Sequence, residues 1–220
     1  MRLRTRLAVL VCKASGAVLR RLGRGGTNLP GKLALKIDRN ILGELAHGVK
    51  VTVVTGTNGK TTTSRMIEQA FADAGLKYFS NKSGANLLTG IIAVFAQHAT
   101  LSGKCPYTHA LIECDEAAFR KTSEYLVVNN IFRDQLDRYG EITHTLNAIR
   151  EGITHVPNAT LCLNADCSLT ASLADSVPNK IVWFGVNVPI YKETAHELSD
   201  APYCIHCKTE YEYDYITYGH

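Results

Sequence analysis

The chain has 220 residues, 45% of them apolar and 20% charged. That is long and apolar enough to bury a hydrophobic core, and it excludes a disordered or collagen-like chain. The net charge of +4 is unevenly placed: Arg2, Arg4, Arg6, Lys13, Arg20, Arg21, Arg24, Lys32 and Lys36 all precede the first acid, Asp38, so the remainder is slightly acidic.

Residues 1–45 read as a basic helical lead-in with a turn at Leu29-Pro30-Gly31. The apolar run from Leu7 to Leu19 is interrupted by Lys13 and followed by Arg20 and Arg21, which does not suit a secretory signal. It is also shorter than the roughly 18 uninterrupted apolar residues of a spanning helix. Three readings stay open: a solvated basic helix packed on its own domain, a helix resting on an anionic membrane surface, and an Arg-rich, acid-free presequence. Nucleic-acid binding fits poorly, because the basic residues lack interleaved aromatics.

Residues 46–200 alternate between strand and helix patterns. Val51 to Val54 is an apolar run that breaks at Gly56, and a helical pattern begins at Lys60. Strand, glycine loop, Lys-Thr and helix is the order in which proteins cradle a nucleotide triphosphate. Loop amides and a helix N-terminus face the phosphates, a lysine reaches the terminal ones, and a threonine hydroxyl sits on Mg²⁺. The candidate ATP-binding residues are Gly56, Thr57, Asn58, Gly59, Lys60, Thr61 and Thr62. Only Thr57 and Asn58 separate the two glycines, fewer than in a standard phosphate loop. In the following helix Met66, Ala70 and Ala74 form an expected core stripe with Ile67 and Phe71 beside it, and Gly75 is the expected C-terminal stop.

Further elements are expected at Tyr78-Phe79, Ala110 to Ile112, Leu126 to Asn130, Thr160 to Asn164 and Lys180 to Phe184 as strands. Helices are expected at Leu87 to Gln97, Asp115 to Tyr125 and Ile142 to Ile153. The alternation predicts an α/β fold with a mainly parallel sheet and helices on both faces. Ligands gather beyond the carboxyl ends of such strands, where Glu113 is the best candidate carboxylate for Mg²⁺. Asp115 and Glu116 read instead as acids favoured by a helix start.

Seven cysteines, an odd number, lie mostly among apolar neighbours, which suits buried free thiols in a reducing compartment. Cys204 and Cys207 differ. Their C-x₂-C spacing, followed by an alternating strand from Tyr211 to Ile216, reads as half of a zinc ribbon within residues 201–220.

These residues resemble the central domain of Mur ligases, ATP-dependent ligases of cell-wall precursor synthesis. Gly56 to Thr62, the strand ending in Glu113, and Asn164-Ala165-Asp166 carry the likeness. Arg21 to Gly25, Leu29-Pro30-Gly31, Ser83-Gly84-Ala85-Asn86, the string Asn130 to Glu141 and the Cys204–Cys207 knuckle point to its MurT-like branch. That branch provides the synthetase subunit of lipid II isoglutaminyl synthase. The resemblance implies a phosphate loop with ATP and Mg²⁺, the latter held by Thr61 and Glu113. Ser83 and Asn86 would lie near the phosphates, with Zn²⁺ on Cys204 and Cys207. It further implies ATP-dependent amidation of the D-glutamate α-carboxylate in lipid II through an acyl phosphate. A GatD-like glutaminase would supply the ammonia, and the work would be done at the cytoplasmic face of the membrane.

There are departures. Gln135 stands where many Mur ligases have His, and Asn147 to Arg150 lacks their modified lysine, which fits ammonia as acceptor. Cys167 replaces an expected Asp, and the junction at residues 124–127 looks short. His220 falls inside the ribbon, so the chain reads as truncated. The family's catalytic Asp and glutaminase-docking surface would lie in an absent C-terminal domain. The 220-residue chain alone is then expected to bind ATP weakly and to leave amidation incomplete. The alternatives are a folylpolyglutamate synthase-like ligase and a non-catalytic nucleotide-binding or zinc-ribbon scaffold.

Overall fold

The computed structural model describes residues 2–23, 28–81, 85–102, 104–115, 123–131, 141–186, 203–204 and 207–212. Three helices open the chain: α1 (Leu3–Arg21), α2 (Asn28–Ile37) and α3 (Ile41–Ala46). Then follow β1 (Lys50–Thr55), α4 (Lys60–Asp73), β2 (Tyr78–Ser80), α5 (Leu88–His98), β3 (His109–Glu113), β4 (Tyr125–Val128), α6 (Glu141–Thr154), β5 (Thr160–Asn164), α7 (Ser168–Ala171), a 3₁₀ turn and β6 (Ile181–Phe184). The strands form one parallel sheet in the order β2-β3-β1-β4-β5-β6. This is the α/β arrangement expected from the alternation.

Side chains alternate across the sheet, as the two-residue strand period requires. Val51 and Val53, Ala110 and Ile112, Leu126 and Val128, and Leu161 and Leu163 belong to the main core with α1, α2, α3, α5 and α6. Val54, Leu111 and Val127 face the other way, onto Ile67 and Phe71 of α4. Residues 1–45 are therefore no separate appendage: Ala8, Val9, Cys12, Ala34, Ile41 and Leu45 share a core with the strands.

Two local expectations are corrected. Met66 is 70% exposed, and Ala70 and Ala74 are exposed too, so the stripe points to water. Ser64, Ile67 and Phe71 do the packing, one step round the helix, because α4 touches the sheet along a narrow line. Leu29-Pro30-Gly31 is also no turn but lies in the first turn of α2. Proline is tolerated there because the first amides have no intrahelical acceptor. A side chain at Gly31 would run into the Thr89 carbonyl oxygen at 1.7 Å, so the glycine lets α2 meet α5.

The predicted stop of α4 is present. Gly75 has φ +66°, its N–H bonds Ala72 O at 2.9 Å, and the Leu76 N–H bonds Phe71 O at 3.0 Å. Those paired bonds are the Schellman closure. Tyr125, expected to end a helix, instead opens β4 opposite Thr52. Residues 116–122, the rest of that expected helix, lie outside the described residues, as do Ser83-Gly84, Phe132 to Gly140 and Tyr213 to His220. Among the described residues no helix is long and apolar enough to cross a membrane.

Burial pushes the Cys12 thiol up to about 11 from its ordinary 9.0, against a smaller opposing effect of Lys13. A thiol held neutral by the fold stabilises the fold below pH 9, and that stability is lost as pH rises from 9 towards 11. The loss should be about 2 kcal/mol. Urea unfolding between pH 8 and 11 should show it in the parent chain, with a shallower decline in Cys12→Ala.

Candidate functional site

The sheet order places the end of β1 between the ends of β3 and β4. The connection leaving β1 goes to one side, to β2, and the connection from β3 crosses to the other side, to β4; such a reversal is where open α/β sheets bind ligands. The loop from Gly56 to Gly59 fills this position and leads into α4. Gly56 has φ +126°, and a side chain on it would meet Asn130 O at 2.8 Å. Gly59 has φ +77° and lies against the Asn129 amide, 3.3 Å from where a Cβ would sit. Both glycines are required by left-handed backbone and by the closeness of β4.

Two asparagines just beyond β4 hold the loop. The Thr57 N–H donates to Asn130 O at 3.0 Å, and the Asn58 N–H donates to Asn130 Oδ1 at 2.9 Å. The side-chain amides of Asn129 and Asn130 donate to Asn58 O at 3.2 and 3.3 Å. Asn164 in turn donates to Asn129 O at 2.8 Å, tying in the end of β5. The Asn164-Ala165-Asp166 turn thus has a visible task. Asp166 also accepts the Val186 N–H at 2.6 Å, fastening the end of β6.

The first intrahelical bond of α4 runs from the Thr63 N–H to Gly59 O at 2.9 Å. The amides of Lys60, Thr61 and Thr62 precede it and have no intrahelical acceptor, so the positive end of the helix faces the loop. Lys60 folds back: its Nζ donates to Gly56 O at 2.8 Å and Thr57 O at 3.3 Å, and lies 3.4 Å from Asp115 Oδ1. Thr61 Oγ1 donates to Glu113 Oε2 at 3.0 Å.

Glu113 is only 8% exposed, and among the described residues the Thr61 hydroxyl is its one side-chain hydrogen-bond donor. A buried carboxylate with no basic partner at hand calls for a cation. The chemistry of the pair, carboxylate and hydroxyl oxygen beside a phosphate loop, fits Mg²⁺. The structure therefore brings Gly56 to Thr62 and Glu113 together. Asn86 lies close by: its carbonyl accepts the Asp115 N–H at 3.2 Å. Ser83 lies outside the described residues.

The residue list from sequence missed three groups. Asn81, buried at the end of β2, donates to Glu113 O at 2.7 Å and accepts the Glu113 N–H at 2.7 Å. It fixes the carboxylate's backbone, and an Asn at a strand's carboxyl end was the available signal. Asn129 and Asn130 were visible as polar residues at a strand end but not as clamps. Asp115 was visible as a helix-start acid, not as the partner of Lys60.

Around the C-x₂-C pair the described contacts are local. Tyr203 bridges Glu210 in antiparallel fashion, the Cys204 N–H bonds Thr209 O at 2.8 Å, and the Lys208 N–H bonds Cys204 O at 3.0 Å. Residues 203–204 and 208–210 thus pair across the segment that carries the two cysteines. Among the described residues no group of three or more His, Cys, Asp or Glu side chains converges as a metal cage would.

The sequence matches the Mur ligase middle domain over residues 54–208, and the chain belongs to the Mur ligase family. It is similar to the MurT subunit of the glutamine-hydrolysing lipid II isoglutaminyl synthase of Streptococcus pneumoniae R6, with 39% identity over 225 aligned residues, covering 100% of this chain and 49% of that protein. The same subunit of Staphylococcus aureus COL is 36% identical over 219 residues, covering 97% of this chain and 48% of that one. The chain thus spans about half the length of the curated relatives it matches. A MurF structure from Acinetobacter baumannii superposes with a TM-score of 0.58 at 17% identity, over 74% of this chain and 36% of that one. A pseudomurein peptide ligase type C from Methanothermus fervidus gives 0.52 at 22%, over 76% and 33%. These structures establish the fold alone. Mur ligases use ATP and Mg²⁺.

Replacing Glu113 by Gln keeps the hydrogen bond from Thr61 but removes the charge. In the full-length protein Glu113→Gln should weaken ATP binding at least about tenfold in Mg²⁺ and change it little in EDTA, since a carboxylate contributes mainly through the cation. Isothermal titration under the two conditions measures this.

Proposed function

We propose that this chain is the ATP-binding part of a carbon–nitrogen ligase that amidates a carboxylate of a lipid-linked cell-wall precursor. The specific reaction is conversion of the D-glutamate α-carboxylate in the lipid II stem peptide to D-isoglutamine. Similarity to MurT subunits over the whole chain carries this reading. The loop geometry supports the ATP half of it.

In this reaction a carboxylate oxygen attacks the γ-phosphorus of ATP and ADP leaves. Ammonia then attacks the acyl carbon, the C–O bond to phosphate breaks, and a proton is lost from nitrogen. Lys60 would exchange Gly56 O and Asp115 for phosphate oxygens. The amides at the start of α4 and in the loop would stabilise charge on the transferring group. Thr61 and Glu113 would hold Mg²⁺, which neutralises phosphate charge when bound. Ser83 and Asn86 would border the phosphates. No nucleophile from the protein is needed.

We assign residues 46–200, with the helices of residues 1–45 sharing their core, to the ATP-binding domain and residues 201–220 to the first half of a zinc ribbon. Cys204 and Cys207 would give two of four zinc ligands. A GatD-like glutaminase would supply ammonia in a heterodimer, at the cytoplasmic face of the membrane.

The test uses the full-length protein with its glutaminase partner, lipid II, ATP and Mg²⁺, with mass spectrometry of the stem peptide. The expected product carries a carboxamide in place of one carboxylate, and Lys60→Ala lowers its rate at least about 100-fold. Glutamate in place of ammonia as acceptor would overturn the reading in favour of a folylpolyglutamate synthase-like ligase. ATP binding without turnover would leave a scaffold.

A further inference from the structure

The two faces of α1 are built for different surroundings. Thr5, Ala8, Val9, Cys12 and Gly16 are buried, and small residues among them let the helix lie close to α2 and α5. The opposite face should be polar if it met only water. Instead it carries Leu3, Leu7, Leu10, Val18 and Leu22, with Leu3 83% and Leu22 67% exposed. Their spacing of three, four and eight positions puts them along one strip, roughly 30 Å long at 1.5 Å per residue.

The charges on α1 itself have one sign; Glu44 of α3 meets its N-terminal end, 3.9 Å from Arg2. Arg6 borders it on one side and Arg21 follows near its C-terminal end, both exposed; Arg4, on the other side, is exposed but donates to the Ile37 carbonyl, and Arg20 lies nearer Gly16 on the core side. No acid occurs before Asp38. An apolar strip bordered by arginine on a helix without acids of its own is the pattern of a helix that lies in the plane of a membrane interface. Leucines enter the acyl boundary, and arginines reach the anionic headgroups along their apolar stems.

We propose that the outer face of α1 docks this protein on an anionic lipid bilayer, while its inner face stays in the core. The proposal deepens the assignment of a lipid-linked substrate and rests on it for its purpose, though not for its evidence. An acidic protein surface or another part of the same polypeptide could also cover an apolar strip. The unbroken run of basic residues favours the lipid headgroups.

The test is co-sedimentation of the full-length protein, with its partner subunit, on vesicles of phosphatidylglycerol and phosphatidylcholine or of phosphatidylcholine alone. Binding is expected on the anionic vesicles and should fall as salt rises. Leu7→Ser with Leu10→Ser should weaken it at least about 30-fold, and Arg6→Gln and Arg21→Gln about fivefold each. A polarity-sensitive dye on Leu3→Cys should shift to the blue on anionic vesicles only, and this reads insertion without the serine variants. No sedimentation, equal binding to both vesicle types, or unchanged binding by the variants would overturn the proposal. So would protection of the α1 strip from labelling in lipid-free protein, which would mean that protein already covers it. Amidation of detergent-solubilised lipid II, measured in parallel, should survive the serine changes; its absence in the parent protein would count against the proposed reaction and not against docking.

Discussion

The candidate site depends on the hydrogen bonds between the loop after β1 and the two asparagines after β4. Ordering a residue costs about 1–2 kcal/mol of backbone entropy, and one neutral hydrogen bond returns only about 0.5–1.5 kcal/mol. Four bonds from Asn129 and Asn130 to Thr57 and Asn58 therefore come close to offsetting the ordering of the short loop. The loop is held open in shape before any nucleotide arrives, so binding energy need not be spent on folding it. The same closeness is why Gly56 and Gly59 are glycines.

Charge is arranged to be handed over. Lys60 rests against Asp115, whose side chain is about half exposed, and such a pair contributes about 1 kcal/mol or less. In the proposed function a polyphosphate with several negative charges would displace Asp115 at little cost. Glu113 is the opposite case: it is buried, fixed through its backbone by Asn81, and lacks a basic partner among the described residues. One carboxylate pairs with a lysine and the other, on the proposed function, would hold a cation. Their separation by a single residue at the end of β3 follows from the alternation of a strand running out into a loop.

Much of this was legible in the sequence because it is local. An apolar run, two glycines and Lys60-Thr61 announce β1, the loop after it and α4, and Gly75 announces where α4 stops. Glu113 was legible because a lone acid ended an apolar strand. What failed was whatever depends on distant partners. Met66 and Ala70 have the right helical spacing for a core stripe, but which side of α4 meets the sheet is set by how the helix crosses it. Pro30 and Gly31 look like a turn until α5 is seen against them. Asn81, Asn129 and Asn130 act across strand neighbours far apart in the chain, so no local pattern marks them as clamps.

The claim that most needs a direct measurement is that the phosphate loop is formed before nucleotide binds. Hydrogen–deuterium exchange of the Thr57 and Asn58 amides in nucleotide-free full-length protein addresses it. Both amides should be protected by Asn130, and Asn130→Ala should release them without unfolding β1. Free exchange at both amides in the parent protein, slowed only when ATP is added, would contradict the account and make the loop a product of binding.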